Sequence, residues 1–261
     1  MSRFFLLVLL IFFTFSHAKE SLFELGIGVG SLVYPNYMGS KSTQSYTLPY
    51  PYMRYKSDYF NIDKDGISGK IFDIKDLKLD LSLGGSLPAS SENSKVREGM
   101  PDLHFIFEIG PKIIYTIFSH GKASLFFELP IRAAFSTDLH SIAAQGLIST
   151  PELKYELNYG IMEFTIRSGV MYADAQYHSY FYEVAKEYET PTRRTYSALG
   201  GYSALKNRLG ITFRKDNWWG GGYISHYQLD GAIYEDSPLV ETKSATYFGA
   251  TLAYIFYSTR R

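Results

Sequence analysis

The sequence predicts an all-β protein, a transmembrane antiparallel β-barrel of about 12 strands. Three features of the sequence predict this fold class. Apolar and polar residues alternate over long segments, several predicted strands reach roughly 15 residues, and short connections between strands alternate with long ones. A soluble β-sandwich or a lipocalin-like barrel is the alternative, and strand length and connection asymmetry both count against it.

The clearest alternation lies in the segment 102–136, which predicts two long strands joined at residues 119–122. In its second half every odd position from 123 to 135 is apolar, while even positions include Glu128 and Arg132. Side chains of a strand point to alternate faces, so one face is apolar and the other carries charge. Such a strand fits one that crosses a bilayer at a tilt and continues beyond it.

Residues 1–18 have the pattern of a signal peptide. Arg3 precedes an apolar run from Phe4 to Phe15, and Ser16-His17-Ala18 forms a small-x-small cleavage site. The apolar run is shorter than the roughly 20 residues that a spanning helix needs. We therefore expect cleavage after Ala18, which leaves residues 19–261 as one outer-membrane barrel domain.

The amino-acid composition excludes further classes of protein. The chain has no cysteine, so we expect neither a lipid anchor through cysteine nor disulfides. The 26 lysine and arginine residues equal the 26 aspartate and glutamate residues in number. The chain therefore lacks the excess of positive charge that is typical of nucleic-acid-binding proteins. The 23 tyrosines and 19 phenylalanines fit the aromatic girdles that outer-membrane barrels place at the two membrane–water interfaces.

A period of two also marks the other predicted strands. In chain order they are 22–33, 46–55, 59–63, 67–72, 77–87, 142–157, 161–173, 195–214, 218–229 and 244–257. The hairpin 59–72 turns at Asp65-Gly66, a typical type I′ pair, but its strands are shorter than the 9–11 residues of a crossing. If that hairpin does not span, the barrel has about 10 strands.

The connections between these strands alternate in length. The short set is 56–58, 73–76, 119–122, 158–160 and 215–217, and the long set is 34–45, 88–101, 137–141, 174–194 and 230–243. This asymmetry is typical of bacterial outer-membrane barrels, with short periplasmic turns and longer external loops. Pro111, Pro130 and Pro151 lie inside predicted strands, where proline cannot donate to the ladder, so we expect bulges or local breaks there.

The sequence predicts no catalytic, cofactor-binding or metal-binding site. The serine–histidine neighbours Ser119-His120 and His140-Ser141 would point to opposite faces of a strand, and no third group orients them. The glycines at 26, 28 and 30 do not complete a dinucleotide loop, since Ser31 holds its third glycine position. We therefore expect a non-enzymatic protein without a cofactor.

Charged residues on the polar strand faces are expected to line the lumen. A charge-paired interior is the simpler interpretation, and a constriction that selects solutes by charge is the alternative. Twelve strands would enclose a lumen that holds water unless side chains or loops fill it. The predicted lumen-lining residues are Glu108, Lys112, Glu128, Arg132, Glu163, Arg167, Lys206, Arg208 and Arg214.

An ordered set of short motifs resembles the MipA/OmpV outer-membrane family over nearly the whole chain after the leader. The motifs are Tyr34-Pro35-Asn36-Tyr37-Met38-Gly39-Ser40, Leu48-Pro49-Tyr50, Ile62-Asp63-Lys64-Asp65-Gly66, Leu83-Gly84-Gly85-Ser86-Leu87-Pro88, Gly99-Met100-Pro101-Asp102-Leu103, Glu108-Ile109-Gly110-Pro111, Glu128-Leu129-Pro130, Pro151-Glu152-Leu153 and Ser237-Pro238. One departure is the C-terminus, where Phe256-Tyr257 is followed by Ser258-Thr259-Arg260-Arg261 rather than ending the chain.

The resemblance implies a barrel in outer-membrane lipid and a scaffold role, with a periplasmic lytic transglycosylase and a murein synthase as partners. Short turns oppose this role, because a stable interface usually buries about 800 Å² per partner. A passive small-solute channel through the polar lumen is one alternative. A surface adhesin or receptor that uses the aromatic loop from Tyr177 to Arg194 is the other.

Overall fold

The structure, a computed structural model, describes residues 22–57, 60–63, 66–69 and 72–259. The predicted signal peptide and its cleavage site lie outside these residues. No helix in the described part of the chain is long and apolar enough to cross a membrane.

The described residues form fourteen strand segments, one α-helix and three short 3-10 helices. The strands are β1 (Leu22–Pro35), β2 (Thr43–Lys56), β3 (Phe60–Asp63), β4 (Gly66–Gly69), β5 (Phe72–Ile74), β6 (Leu77–Ser86), β7 (Phe105–His120), β8 (Ala123–Thr137), β9 (Ile142–Ser149), β10 (Glu152–Tyr159), β11 (Met162–Ala173), β12 (Gly201–Lys215), β13 (Trp218–Gln228) and β14 (Ser244–Ser258). The helices are α1 (Ala175–Tyr182) and the 3-10 turns Ser91–Asn93, Lys95–Arg97 and Lys186–Tyr188.

All described strand pairs are antiparallel, and each strand pairs with the next one in the chain except β4 with β5 and β9 with β10; β1 pairs with β14. The two ends of the sheet order are β4 and β5, which both lie along β6, so the sheet returns on itself. Segments β9 and β10 keep one register against β8 and β11 and form one interrupted strand. The result is a 12-strand antiparallel barrel, which confirms the predicted fold class.

The predicted alternation is present in the structure. On β8 the odd residues Phe127 and Ile131 are exposed, whereas Glu128 between them is only 4% exposed. On β14 Phe248 and Phe256 are likewise exposed. Large apolar side chains exposed around a whole wall mark a surface that contacts lipid.

The predicted breaks at strand prolines are also present. On β7 the pairing with β8 lapses at Gly110 and Pro111 and resumes in the same register at Lys112. Pro151 falls in the gap between β9 and β10, although its carbonyl still accepts the Val170 N–H at 3.1 Å. Since proline has no N–H, each site loses ladder bonds without a change of register.

Strand β2 has a free edge as far as the described residues show. Its described pairing with β3 covers Tyr55 and Lys56 only, because β3 has four residues and pairs back onto β4. The described parts of the short hairpin, Phe60–Asp63 and Gly66–Gly69, therefore reach only part of the way along β2. The Asn36 N–H donates to the Ser42 carbonyl, so the even-numbered residues of β2 form the backbone hydrogen bonds with β1. The backbone N–H and C=O groups of the odd-numbered residues therefore point away from β1. Pro49 and Pro51 thus face the free edge, where no donor is needed.

Two predictions about the longest connection were wrong. The strand expected at 195–214 begins only at Gly201, and the stretch expected to be irregular contains α1. The Asp174 side chain caps this helix by accepting the Tyr177 N–H at 2.9 Å. A capped helix of 8 residues, about two turns, is too short to produce a helical period that stands out against the surrounding strands.

Candidate functional site

Buried charges fill one side of the barrel interior. They lie on the inward positions of β7, β8, β10, β11 and β12, which the alternation places on one face. Glu128, 4% exposed, is near three cations: Arg167 at 3.1 Å, Lys112 at 3.6 Å and Lys154 at 3.8 Å. Ion pairs of this kind are stable inside a protein only when each charge finds several partners.

Two more carboxylates carry ion pairs. Glu152 accepts from Arg167 at 2.6 Å and from Lys206 at 3.0 Å. Glu108 accepts from Arg132 at 2.9 Å. Glu128 and Glu152 share Arg167 and so connect cations from four strands, whereas Glu108 and Arg132 form a separate pair. We call these ion pairs together the buried network.

A second cluster lies at the opposite side, on β1 and its neighbours. Glu24 is fully buried and accepts from Arg214 at 2.5 Å and from Ser258 at 3.1 Å. Tyr52 donates to the same carboxylate at 3.2 Å, and Arg54 lies 3.9 Å away. This cluster ties the first and last strands of the barrel together.

The structure therefore distributes the nine predicted lumen residues among different environments. Arg214 belongs to the Glu24 cluster, Glu163 lines a cavity described below, and Arg208 lies with its guanidinium 3.9 Å from the centre of the Tyr223 ring. The six residues that the buried network brings together are Glu108, Lys112, Glu128, Arg132, Arg167 and Lys206.

Sequence reasoning missed several members of these clusters, and four of them are instructive. Glu152 and Lys154 alternate on the polar face of their strand, and Glu24 alternates with glycines on the polar face of β1, so parity alone would have included all three. Tyr177 is different. Its hydroxyl donates to Glu108 at 3.1 Å from a loop 69 residues away, and no local pattern marks that contact.

Four long connections pack together over one end of the barrel, and we call them the loop cover. They are residues 36–42, 87–104, 174–200 and 229–243. Tyr182 of α1 stacks on Tyr234 with ring centroids 3.7 Å apart, and its hydroxyl donates to the Met38 carbonyl at 3.0 Å. Arg97 donates to the Phe181 carbonyl at 2.9 Å. Side chains from three of the four segments therefore meet at α1.

Burial in the loop cover perturbs its titratable groups. The pKa of Tyr37 is raised to about 12, chiefly because burial disfavours the phenolate. The pKa of the Arg97 guanidinium is lowered by the same desolvation, yet its donation to backbone carbonyls keeps it in place. The cover is therefore a packed and hydrogen-bonded layer, and its buried residues include Tyr177, Phe181, Tyr182 and Tyr234.

Described residues line two adjoining cavities inside the barrel. The first, which we call the glycine-lined cavity, has a volume of about 380 Å³, and its lining includes Gly30, Gly210, Gly221, Gly249, Arg208 and Trp219. The second, of about 430 Å³, adjoins it through Tyr50, Thr212 and Trp219. It extends to Asn158 and Gly160 at the end of the barrel that carries the short turns, which we call the short-turn end.

The structure does not assemble a serine–histidine site from either predicted neighbour pair. Ser141 Oγ donates to Asp138 at 3.0 Å rather than to His140, and backbone N–H groups of Ser141 and His140 lower the pKa of Asp138 to about 2. Ser119 Oγ bonds to Ser124 at 2.8 Å. No group of three His, Asp or Glu residues that could hold a metal occurs among the described residues.

The model of the family described as MltA-interacting protein MipA matches residues 27–256. A comparison with curated proteins gave no match.

Several solved barrels are similar over most of the chain. The outer membrane protein OprG of Pseudomonas aeruginosa is 8% identical, with 92% of this chain and 98% of that chain covered and a TM-score of 0.25. The toluene transporter TodX of Pseudomonas putida is 8% identical, with 92% and 90% covered and a TM-score of 0.30. At these TM-scores the similarities carry no argument about this chain.

Proposed function

Because the chain belongs to the MltA-interacting protein MipA family, we propose that it docks a periplasmic lytic transglycosylase of the MltA type and is itself non-enzymatic. The family and the barrel fold give it an outer-membrane location. In this proposal the barrel is a scaffold that holds the transglycosylase, and with it a murein synthase, at the membrane.

The observation that carries the proposal is a hairpin with one exposed edge at the short-turn end. On β7 the last pairing with β6 is at Tyr115, and the Thr116 N–H donates to the Asp76 carbonyl at 2.7 Å. The hairpin continues to residue 120 before it turns into β8. Residues 117–122, which we call the hairpin tip, therefore extend past β6, whereas on the other side β10 runs alongside and the Asn158 N–H donates to the Lys122 carbonyl at 2.8 Å. The exposed β7 edge adds surface to the short turns, which meets part of the objection that short turns offer little surface.

The chemistry of the hairpin tip suits protein docking. Ile117 and Phe118 are 45% and 42% exposed, and the ladder shifts register between Thr116 and Phe118. Lys122 lies over the ring of Tyr159 at 5.4 Å, so an apolar patch adjoins a cation and an aromatic ring. Exposed apolar groups rimmed by polar ones are typical of protein interfaces.

The loop cover argues against the two alternatives. A passive channel needs a continuous path, whereas the packed cover lies across one end and the ion pairs occupy much of the interior. An adhesin would use exposed loop aromatics, but Tyr177, Phe181 and Tyr182 are buried. Both observations favour a role at the short-turn end.

The test is retention of a lytic transglycosylase by the purified barrel in detergent. We expect specific retention from a periplasmic extract, followed by binding of the purified transglycosylase. Phe118→Ser should weaken that binding at least about tenfold, because a buried interface anchor contributes about 1.4 kcal/mol or more.

Leu139→Ser is the matched control, since Leu139 is 91% exposed but lies in the connection between β8 and β9, at the opposite end. It should leave binding unchanged. Failure of the wild-type barrel to bind, or an equal loss in both variants, would contradict docking at the hairpin tip.

A further inference from the structure

The glycine-lined cavity exists because several inward positions lack a side chain. Gly30, Gly210, Gly221 and Gly249 lie on β1, β12, β13 and β14, at positions where other strands carry large side chains. At Gly210 an added Cβ would meet nothing closer than 3.8 Å, so this glycine leaves real space. The volume of about 380 Å³ is within the range of small-molecule sites.

The described lining of this cavity carries two cations, Arg167 and Arg208, and no carboxylate. Arg167 is held by Glu128 and Glu152. Arg208 forms no ion pair among the described residues. Its contact is the face of Tyr223. A guanidinium that lines a cavity without a carboxylate partner is a site for an anionic ligand.

The strand register strengthens this argument. Arg167 and Arg208 are directly opposite each other on β11 and β12. Like charges at such positions repel, and an anion bound between them and the cavity would relieve the repulsion. The glycine-lined cavity is therefore electropositive, in contrast to the ion-paired region beside it.

The remaining walls are aromatic and hydroxylic. Tyr50 and Trp219 lie with planes 15° apart and ring centroids separated by 6.1 Å. Thr165, Thr212 and Thr251 also line the cavity and can donate or accept hydrogen bonds. A ligand with a flat apolar body and one negative charge would match both kinds of wall.

Access is from the short-turn end. The second cavity shares Tyr50, Thr212 and Trp219 with the glycine-lined cavity and extends to the turn at Gly160. The loop cover lies across the other end. A ligand would thus enter from the side that the strand connections predict to be periplasmic.

From the cavity, its charge and its aromatic walls, we propose that the barrel binds a small aromatic carboxylate, with the carboxylate on Arg208 and the ring beside Trp219. This binding site is separate from the hairpin tip, so the ligand site and the docking site can each fail without the other.

The test uses the fluorescence of Trp219 in the full barrel in detergent. The chain has two tryptophans, and Trp218 faces outward. The substitution Trp218→Phe therefore leaves Trp219 as the single fluorescent reporter. In this background para-nitrobenzoate should quench saturably. The neutral para-nitrobenzamide, which keeps the ring, should bind at least about tenfold more weakly.

Variants locate the site. Arg208→Gln should weaken para-nitrobenzoate binding at least about tenfold, and Arg208→Lys should retain part of it because the charge remains. Gly210→Leu should abolish binding by filling the cavity without removing charge. Lys112→Gln removes an inward cation outside this cavity and should leave binding unchanged.

Four results would overturn the proposal. They are no saturable quenching in the millimolar range, equal binding of the carboxylate and the amide, equal losses in the Arg208 and Lys112 variants, and competition by sulfate as strong as that by para-nitrobenzoate. The last result would show simple attraction of any anion rather than recognition of an aromatic acid. Heat-modified migration on gels verifies that each variant is folded.

Discussion

His178 Nε2 accepts a hydrogen bond from Ser203 Oγ at 2.7 Å, while its Nδ1 donates to the Leu199 carbonyl at 2.6 Å. The imidazole is fully buried and joins α1 to the start of β12. Burial favours the neutral imidazole, in which Nδ1–H donates to the Leu199 carbonyl and Nε2 accepts from Ser203. The loop cover is thus pinned by a titratable group.

Acid should loosen the loop cover. Burial lowers the pKa of His178 below its ordinary value of 6.5, so the opened chain takes up a proton more readily than the folded one. The contribution to stability is complete above pH 6.5 and is lost as pH falls through the lowered pKa. The protection factors of the amides of residues 175–182, which correct for the intrinsic slowing of exchange in acid, should be high at neutral pH and lower in mild acid. In His178→Gln this pH dependence should disappear, and its persistence would contradict the assignment.

Removing the stacked ring at the centre of the cover should open the barrel. Tyr182→Ala deletes a side chain that is 1% exposed, which typically costs about 3–5 kcal/mol. We expect low single-channel conductance in planar bilayers for the wild type and a clear increase for this variant. Tyr159→Ala, at an exposed ring of the short-turn end, should behave as the wild type. High conductance in the wild type would show that the cover does not close the lumen.

The buried ion pairs should matter far more to stability than exposed ones. Arg167→Met leaves Glu128 and Glu152 short of a partner, and breaking such a pair costs about 3–5 kcal/mol. The free energy of unfolding in urea, followed by tryptophan fluorescence, measures the loss. Lys186→Met breaks the exposed pair with Glu189 and should have little effect. Similar stabilities for the two variants would mean that the interior charges are well solvated.

The prolines of β2 should protect its free edge. Pro49→Thr with Pro51→Thr adds two N–H donors that point away from β1, and an unpaired edge with donors can pair with another chain. We expect the double variant to form cross-linkable oligomers in detergent at concentrations where the wild type is monomeric. Pro111→Thr places a donor on a strand that has neighbours on both sides and serves as the control. An unchanged monomer in the double variant would indicate that the edge is covered.

Alternation along the chain was enough to predict which side chains face lipid. The reason is local, since successive strand residues point to opposite faces whatever their partners are. The apolar odd positions of β8 and the polar position of Glu128 follow from this rule. The break at Pro151 has another local cause, the missing N–H of proline. The order of short and long connections likewise predicted an antiparallel barrel, because neighbouring strands in the chain become neighbours in the sheet.

The tertiary structure alone decided what occupies the interior. Parity places Glu152 and Arg208 inside, but which carboxylate meets which cation depends on the register and stagger of strands far apart in sequence. The same holds for Tyr177, which reaches Glu108 from a distant connection, and for α1, whose single cap at Asp174 gives little local signal. Sequence periodicity specifies faces because it is a property of one strand, whereas cavities, ion pairs and the loop cover form only when the barrel closes.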